Sequence, residues 1–535
     1  MKIRPDVLRT YQSIHTWTGI TTGLLLFIAF FAGALTMFKP QIEQWATPPQ
    51  QHLSPIDHTD LDQLIQTSFK QFDKATEGFT IHFDHKSSPM TWYEKGGGRG
   101  FRLDDSLRHA TLNDDGSLTT QLSGSNELGE LIDHLHRTAG IPGTVGHEDL
   151  GVLILGLAAL LYFIALISGV IILLPTLVKS LFALRQHKGA NRFWLDSHNL
   201  VGVISLPFHI IIAWTVVVFA FHDPFYGGLR LVYGEQTMFE PMPKSETAYS
   251  IEQLPSINTH IERVNQLASD YQIKTMEYAK LNSVSPSLAA EVVANDRVMR
   301  GGYSDFVFIN PYTLDVLFTT VNQAENGIYG EIVNSFFGLH FGNYGGGLTR
   351  WVYFSLGLLG AFLFYSGNLL WLEKRRQKQQ QQSRSVGVMS SLTIGVCLGS
   401  LLGVSCAMLA TKWLYLLTEQ INHSYLVCYY VAFFAAIVYS FARGAAIAAI
   451  HLLQLLALSC LLIPLSSLIA ILAPSLNTWT PADFNSGLIE FMALVFAVAF
   501  YSAARKAKRR AYQGEPNSIW FIAPKTTAKL VANEA

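Results

Sequence analysis

Long apolar runs, separated by two long stretches of mixed polarity, set the pattern of this chain. A run of about 18 or more apolar residues with few charges reads as a membrane-spanning helix. Eight runs qualify, at about residues 11–38, 150–174, 196–221, 348–372, 386–417, 425–441, 445–472 and 488–504. The mixed stretches lie between the first and second runs and between the third and fourth. In the first of them, Leu61, Leu64, Ile65, Phe69 and Phe72 recur at helical spacing behind Asp60. Strand-like pieces follow at 79–83, 91–94 and 100–103, and Asn113-Asp114-Asp115-Gly116 predicts a hairpin turn. In the second, Ile257, Ile261, Val264 and Leu267 mark a helix, and 273–281, 290–294 and 305–309 read as strands. Asn310-Pro311-Tyr312-Thr313 then turns the chain into 316–318.

One helix followed by a few antiparallel strands therefore occurs twice, and the repetition extends into the membrane runs. Residues 15–38 (HTWTGITTGLLLFIAFFAGALTMF) lead to GELIDHLHR at 129–137 and to a second apolar run ending in ISG at 167–169. Residues 198–221 (HNLVGVISLPFHIIIAWTVVVFAF) lead to GEIVNSFFGLH at 330–340 and to a run ending in YSG at 365–367. His15 and Gly19 match His198 and Gly202, and Leu135-His136 matches Leu339-His340. The expected fold is an α-helical integral membrane protein. Duplicated two-span units form a four-helix bundle, two small α+β domains lie outside the cytoplasm, and about four membrane helices are added at the C-terminus. The boundaries are a first span at 1–40, a first α+β domain at 41–147, and spans two and three with their loop at 148–222. A second α+β domain at 223–345, span four at 346–373, a linker at 374–387, four spans at 388–505 and a tail at 506–535 complete the chain.

Composition adds little: 50% hydrophobic and 14% charged would also suit a large soluble protein. The placement of basic residues says more. Lys2, Arg4 and Arg9 precede span one, and Lys179, Arg185, Lys188 and Arg192 lie between spans two and three. Lys374, Arg375, Arg376, Lys378 and Arg384 follow span four, Arg443 sits between spans six and seven, and Arg505, Lys506, Lys508, Arg509 and Arg510 follow span eight. With eight spans these positions share one side, which the bias of Lys and Arg assigns to the cytoplasm together with both termini. The first run is too long for a signal-peptide core and no small-x-small site follows, so it reads as an uncleaved anchor. Cys397, Cys406, Cys428 and Cys460 all fall in the last four spans, which leaves the extracytoplasmic stretches without a disulfide framework or a Cys-ligated cluster. The net charge of −1 points to no particular partner, and membrane lipid rather than nucleic acid is the expected surroundings.

Histidine carries the candidate chemistry. One His at a membrane edge is as often an interfacial anchor, but four at matching places call for a shared role. Imidazole ligates haem iron, and cofactor sites in helix bundles are built from facing helices. Topology pairs His15 with His198 near the cytoplasmic face and His136 with His340 near the other, giving two b-type haems. Gly19 and Gly202, four residues after their histidines, leave room on that helix face. His209 is the rival ligand, eleven residues beyond His198 and about 20° from the same face of a continuous helix. His222 and His147 at the outer edge are substitutes for His136 or His340, and His451 reads as a polar contact among the added helices. Arg9, Arg192, Arg137 and Arg350 lie at depths suited to haem propionates. Dinucleotide, P-loop and HExxH motifs are missing. Gly96-Gly97-Gly98 reads as a loop.

The phrases HTWTG, LHR, SHNLVG and LHFG beside membrane spans, with FVFINPYTLDVL at 306–317 in a helix-then-strands context, resemble the PepSY-associated transmembrane-helix family over about residues 1–378. The second copy departs from the first where Phe341 stands in place of the basic Arg137. The resemblance makes the two mixed stretches PepSY-like domains. It also implies a bacterial inner-membrane protein of iron uptake that reduces a ferric siderophore or other iron chelate. With the paired histidines, the expectation is an oxidoreductase passing electrons outward, fed by a quinol or a separate donor. The competing readings are a non-enzymatic PepSY-type binding or anchor protein and a permease-like component of iron uptake. Charges scattered inside the added spans would favour the last, but they are nearly absent: Lys412 and Glu419 lie toward the outer end of span five.

Overall fold

The computed structural model of the chain describes residues 4–49, 53–84, 87–98, 100–146, 148–177, 182–185, 189–234, 243–321, 327–379, 381–418 and 420–522. His147, Lys2, Lys179, Lys188 and Glu419, all weighed above, lie outside the described residues. The helices are α1 (Pro5–Thr36), α2 (Lys39–Ala46), α3 (Leu61–Gln71), α4 (Asp73–Glu77), α5 (Leu128–Thr138), α6 (Leu150–Leu173), α7 (Ala190–Ile204) and α8 (Leu206–Tyr233). They continue with α9 (Ile257–Leu267), α10 (Gly327–Phe341), α11 (Gly346–Gln377), α12 (Arg384–Leu414), α13 (Ile421–Arg443), α14 (Ala445–Leu472) and α15 (Phe484–Gln513). Eight of them, α1, α6, α8 and α11 to α15, are long and apolar enough to cross a membrane. The protein is a multi-pass membrane protein.

The third span differs from its expected form. The apolar run is not one helix: Ser205 leaves the helical range at φ −92°, ψ 4°, between α7 and α8. Two residues on, Pro207 has no N–H to return to the turn behind it. Ser205 Oγ donates instead to the Val201 carbonyl at 2.6 Å. His198 and His209 thus stand on separate helices, and the face relation calculated for a continuous helix does not apply.

The chain divides into two compact units, one of Met1–Ala46, Glu127–Phe221 and Phe354–Ala535, the other of Thr47–Asn126 and His222–Tyr353. In the first, rings from four helices converge: Phe30 of α1 lies 5.9 Å from Tyr162 of α6, 5.1 Å from Phe364 of α11 and 5.5 Å from His209 of α8. Small residues let these helices approach, as membrane helices require when no hydrophobic effect drives them together. A Cβ on Gly357 of α11 would stand 3.0 Å from Ala34 Cβ on α1. Among the added helices, Gly395, Gly399 and Gly403 form a stripe at every fourth position of α12. A Cβ on each would come within 2.7, 2.9 and 2.6 Å of Ile437, Ala436 and Tyr429 on α13.

The same unit buries an ion pair. Lys412 Nζ of α12 donates to the Trp479 carbonyl at 2.8 Å and lies 3.8 Å from Glu490 Oε1 of α15. The rings of Trp45 and Trp479 flank the ammonium, at 4.8 and 4.7 Å from their centroids. Trp45 Nε1 donates to Glu490 at 3.0 Å, so the end of α2 is fastened to the added helices.

The second unit is built on an antiparallel sheet. Its strands are β1 (Gly78–His82), β2 (Met90–Lys95), β3 (Ser106–Leu112) and β4 (Leu118–Gly124); a short hairpin, β5 (Thr144–Val145) and β6 (Glu148–Asp149), belongs to the first unit; β7 (Gln272–Ala279), β8 (Ser287–Val293), β9 (Asp305–Ile309) and β10 (Val316–Thr319) complete the sheet. The order is β10-β9-β8-β7-β1-β2-β3-β4. The strands of the two repeats therefore form one continuous sheet, joined where β1 meets β7 with Thr80 opposite Glu277. Alternate residues Phe79 and Ile81 of β1 and Met276 and Tyr278 of β7 are buried, and α3 and α9 contribute Leu64 and Val264 to the same core. Phe79 and Tyr278 stack across the join at 4.4 Å.

Residues 100–103, expected as a strand, are not one; β3 begins at Ser106. The reason lies in the loop before it, where Gly96, Gly97 and Gly98 take φ values of +81°, +89° and +127°. The buried Asp105 carboxylate accepts from the Gly97 N–H at 3.0 Å and closes that loop. Asp305 does the same in the second repeat, accepting from the Arg300 N–H at 2.8 Å.

Candidate functional site

Three of the four matched histidines lie in the first unit, and each is fixed through Nδ1. His15 Nδ1 is 2.8 Å from the Ala165 carbonyl of α6. A carbonyl only accepts, so Nδ1 carries the proton and Nε2 keeps its lone pair. His198 Nδ1 is 3.0 Å from Ser366 Oγ of α11. Ser366 Oγ itself donates to the Leu363 carbonyl at 3.2 Å, so His198 is the donor to it and again keeps a lone pair on Nε2. His136 Nδ1 donates to the Ala29 carbonyl of α1 at 2.9 Å, which assigns the same tautomer.

The structure brings His15 and His198 together. Their ring centroids are 6.4 Å apart and the planes are turned 79° to one another. The seats beneath the rings are glycines. A Cβ on Gly169 would stand 3.0 Å from His15 Cε1, and one on Gly367 would stand 3.4 Å from His198 Cε1. Gly33 seats His136 still more tightly, at 2.6 Å from Nδ1. Sequence reasoning used ISG and YSG only as landmarks of the repeat. The glycine of each tripeptide, and in the second copy the serine Ser366 as well, docks the histidine on the next span of its own repeat, whereas Ser168 donates at 2.9 Å to the Ala165 carbonyl that holds His15. Gly19 and Gly202, singled out for space, do border open space: a Cβ at Gly19 meets nothing within 4 Å, and one at Gly202 meets only Leu363 Cδ2 at 3.8 Å.

His209 is placed differently. It is fully buried, and among the described residues no hydrogen-bond partner reaches Nδ1 or Nε2. Its neighbours are Phe30, Tyr162 and Phe208. His340 belongs to the second unit, at the end of α10, with its ring edge-on to Phe341. His222 is exposed and sits 3.2 Å from Asp223, and His451 is hydrogen-bonded to Tyr439. Of the arginines, Arg137 pairs with Asp133 at 3.0 Å and Arg192 with Asp196 at 3.1 Å. Arg185 also holds the buried Asp196, through two bonds of 2.7 and 2.9 Å. Arg9 Nε donates to the Pro5 carbonyl at 3.3 Å, and Arg350 lies over the Tyr303 ring.

The sequence of residues 12–374 matches the model of the PepSY-associated TM region, well over half of the chain. The chain belongs to this family. No curated protein matches it. For this PepSY-associated protein the match spans both copies of the histidine-bearing repeat and the intervening sheet, and it ends before α12.

Proposed function

We propose that this protein is a haem-containing electron carrier of the bacterial inner membrane, with both termini in the cytoplasm, that reduces an extracytoplasmic ferric substrate such as a ferric siderophore. The observation that carries the reading is the geometry of His15 and His198. Imidazole nitrogens bind metals at about 2 Å, so two rings facing one another across an iron have centroids about 6 Å apart. The measured 6.4 Å fits, and any twist between the planes is compatible with a shared axis. Both rings also present the required tautomer, with Nε2 available and Nδ1–H held by a second group, as metal-bound histidines commonly are.

Bound there, b-type haem supplies one-electron transfer. The chain's own residues do the positioning. Ala165 and Ser366 hold the imidazoles in orientation, Gly169 and Gly367 let them approach the neighbouring helices, and Gly19 and Gly202 leave space beside them. Arg9, on α1 six residues before His15, is free of carboxylates among the described residues and suits a propionate. The second proposed pair, His136 and His340, divides between the two units and rests on the repeat. The donor is a quinol or a separate electron carrier.

The purified protein should show an oxidised and a dithionite-reduced b-type absorbance spectrum with about two haems per chain, one per pair of imidazoles. His15→Ala and His198→Ala should each remove the same haem, and the double variant should lose little more than either alone. A colourless folded protein from haem-replete cells would reject the proposal in favour of a PepSY-type binding protein.

A further inference from the structure

The helices α12 to α15 lie beyond the family match, which ends at residue 374, yet they grip α5 of the first repeat at both ends. The helix that carries His136 starts after Glu127. The Glu127 backbone N–H is one of the four donors that a helix start leaves without an intrahelical partner. A capping box would meet that donor with the side chain at the third helical position, here Glu130. Glu130 is drawn instead to Lys39 of α2, with which it forms a hydrogen-bonded ion pair. The Glu127 side chain makes no capping bond. The acceptor comes from the added helices: Asn422, buried in the first turn of α13, takes the Glu127 N–H on Oδ1 at 3.0 Å.

The same helix holds the other end of α5. Ala139 and Gly140 take φ values of +52° and +75°, in the left-handed region, and stop α5 shortly after His136. Tyr430, eight residues beyond Asn422 on α13, donates its hydroxyl to the Gly140 carbonyl at 2.7 Å. A third tie runs along the flank. The start of α5 packs on α2, where a Cβ on Gly129 would stand 2.5 Å from Glu43 Oε1. The end of α2 is in turn bonded to the added helices, because the Trp45 carbonyl accepts from Trp479 Nε1 at 3.0 Å. The counterpart of α5 in the second repeat, α10, belongs to the other unit.

We infer that the four added spans clamp α5, and that Asn422 and Tyr430 are positioning residues for His136. A helix tied at one place can still slide or turn about its axis. Bonds at both ends fix its register and its rotation together. His136 depends on that rotation: its Nδ1 meets the Ala29 carbonyl at 2.9 Å, and a slip of α5 by one residue would turn the ring away by about 100°. The clamp itself involves no cofactor. Its effect on a haem rests on the electron-transfer reading, and the two are tested apart.

Tyr430→Phe removes one hydroxyl, and Asn422→Leu removes one acceptor at nearly constant volume. Hydrogen exchange of the full-length protein in detergent, read by mass spectrometry, reports on α5 directly. Peptides within 127–140 should exchange about tenfold faster in either variant, one decade per 1.4 kcal/mol of lost hydrogen bonding. Peptides from α3 and α11 should exchange as in the parent protein. In Tyr430→Phe the haem bound through His136 should change its midpoint potential, while the haem of His15 and His198 keeps its own and the haem content is unaltered. Unchanged exchange of α5 in both variants, or acceleration spread evenly over the first unit, would overturn the clamp. A loosened α5 with both potentials unmoved, or with both moved alike, would overturn the positioning role. A protein without haem would reject the electron-transfer reading alone, and the exchange of α5 would still decide the clamp.

Discussion

The position of one proton determines what a histidine offers a metal. In His15 and His198 it sits on Nδ1, and the acceptors that hold it there are a backbone carbonyl and a serine hydroxyl. The sequence displayed the histidines, because their spacing repeats. It could not display Ala165 as a partner, since a carbonyl carries no signature, and Ser366 was visible only as part of a repeated tripeptide. Ser366→Ala should leave the fold intact and weaken haem retention about tenfold, the low end for removing an outer-shell partner; measuring the haem-to-protein ratio through successive washes checks this. Gly169→Ala should disturb the inner haem more than Gly367→Ala, because its Cβ would stand 3.0 rather than 3.4 Å from the imidazole. Low-temperature absorbance and paramagnetic resonance would report the difference. His209, with neither ring nitrogen partnered, gains nothing from its surroundings as an imidazole. His209→Leu should keep both haems and not lower the melting temperature; loss of a haem would make it a ligand.

At the level of the element, the spans were legible because a run of apolar residues has one reading in a bilayer. The break at Ser205 was not, since a serine and a proline inside an apolar run are tolerated in continuous membrane helices as well. Strand positions were largely legible from alternation. The exception at 100–103 arose because a buried Asp105 and three glycines close a loop, an effect of tertiary hydrogen bonding that alternation does not encode. The join of β1 to β7 was invisible for a related reason: pairing partners far apart in sequence leave no local trace. Tyr278 tests that join. Its ring stacks on Phe79 and its hydroxyl is 3.0 Å from His260 Nδ1. Tyr278→Ala should cost about 3–5 kcal/mol, as large aromatic truncations in cores do. Limited proteolysis of the second unit under rising denaturant would measure it.

Across the whole molecule, the added helices α12 to α15 are tied to α2 through Lys412, Glu490, Trp45 and Trp479. A buried pair broken on one side leaves an uncompensated charge, at about 3–5 kcal/mol. Lys412→Met alone should therefore lower the melting temperature markedly. Lys412→Met combined with Glu490→Gln should recover much of the loss, and equal melting of the single and double variants would deny the coupling.

The strand order reads the same from either end when β7 to β10 are set against β1 to β4. Antiparallel pairing of the two corresponding strands places a local dyad at the join, the arrangement by which identical subunits associate. In effect the sheet is the interface of a homodimer drawn within one polypeptide. The covalent link should then be dispensable. Two fragments cut at residues 182–185 and produced in the same cell should find each other and copurify, whereas either alone, with the buried edge of β1 or β7 laid bare, should aggregate.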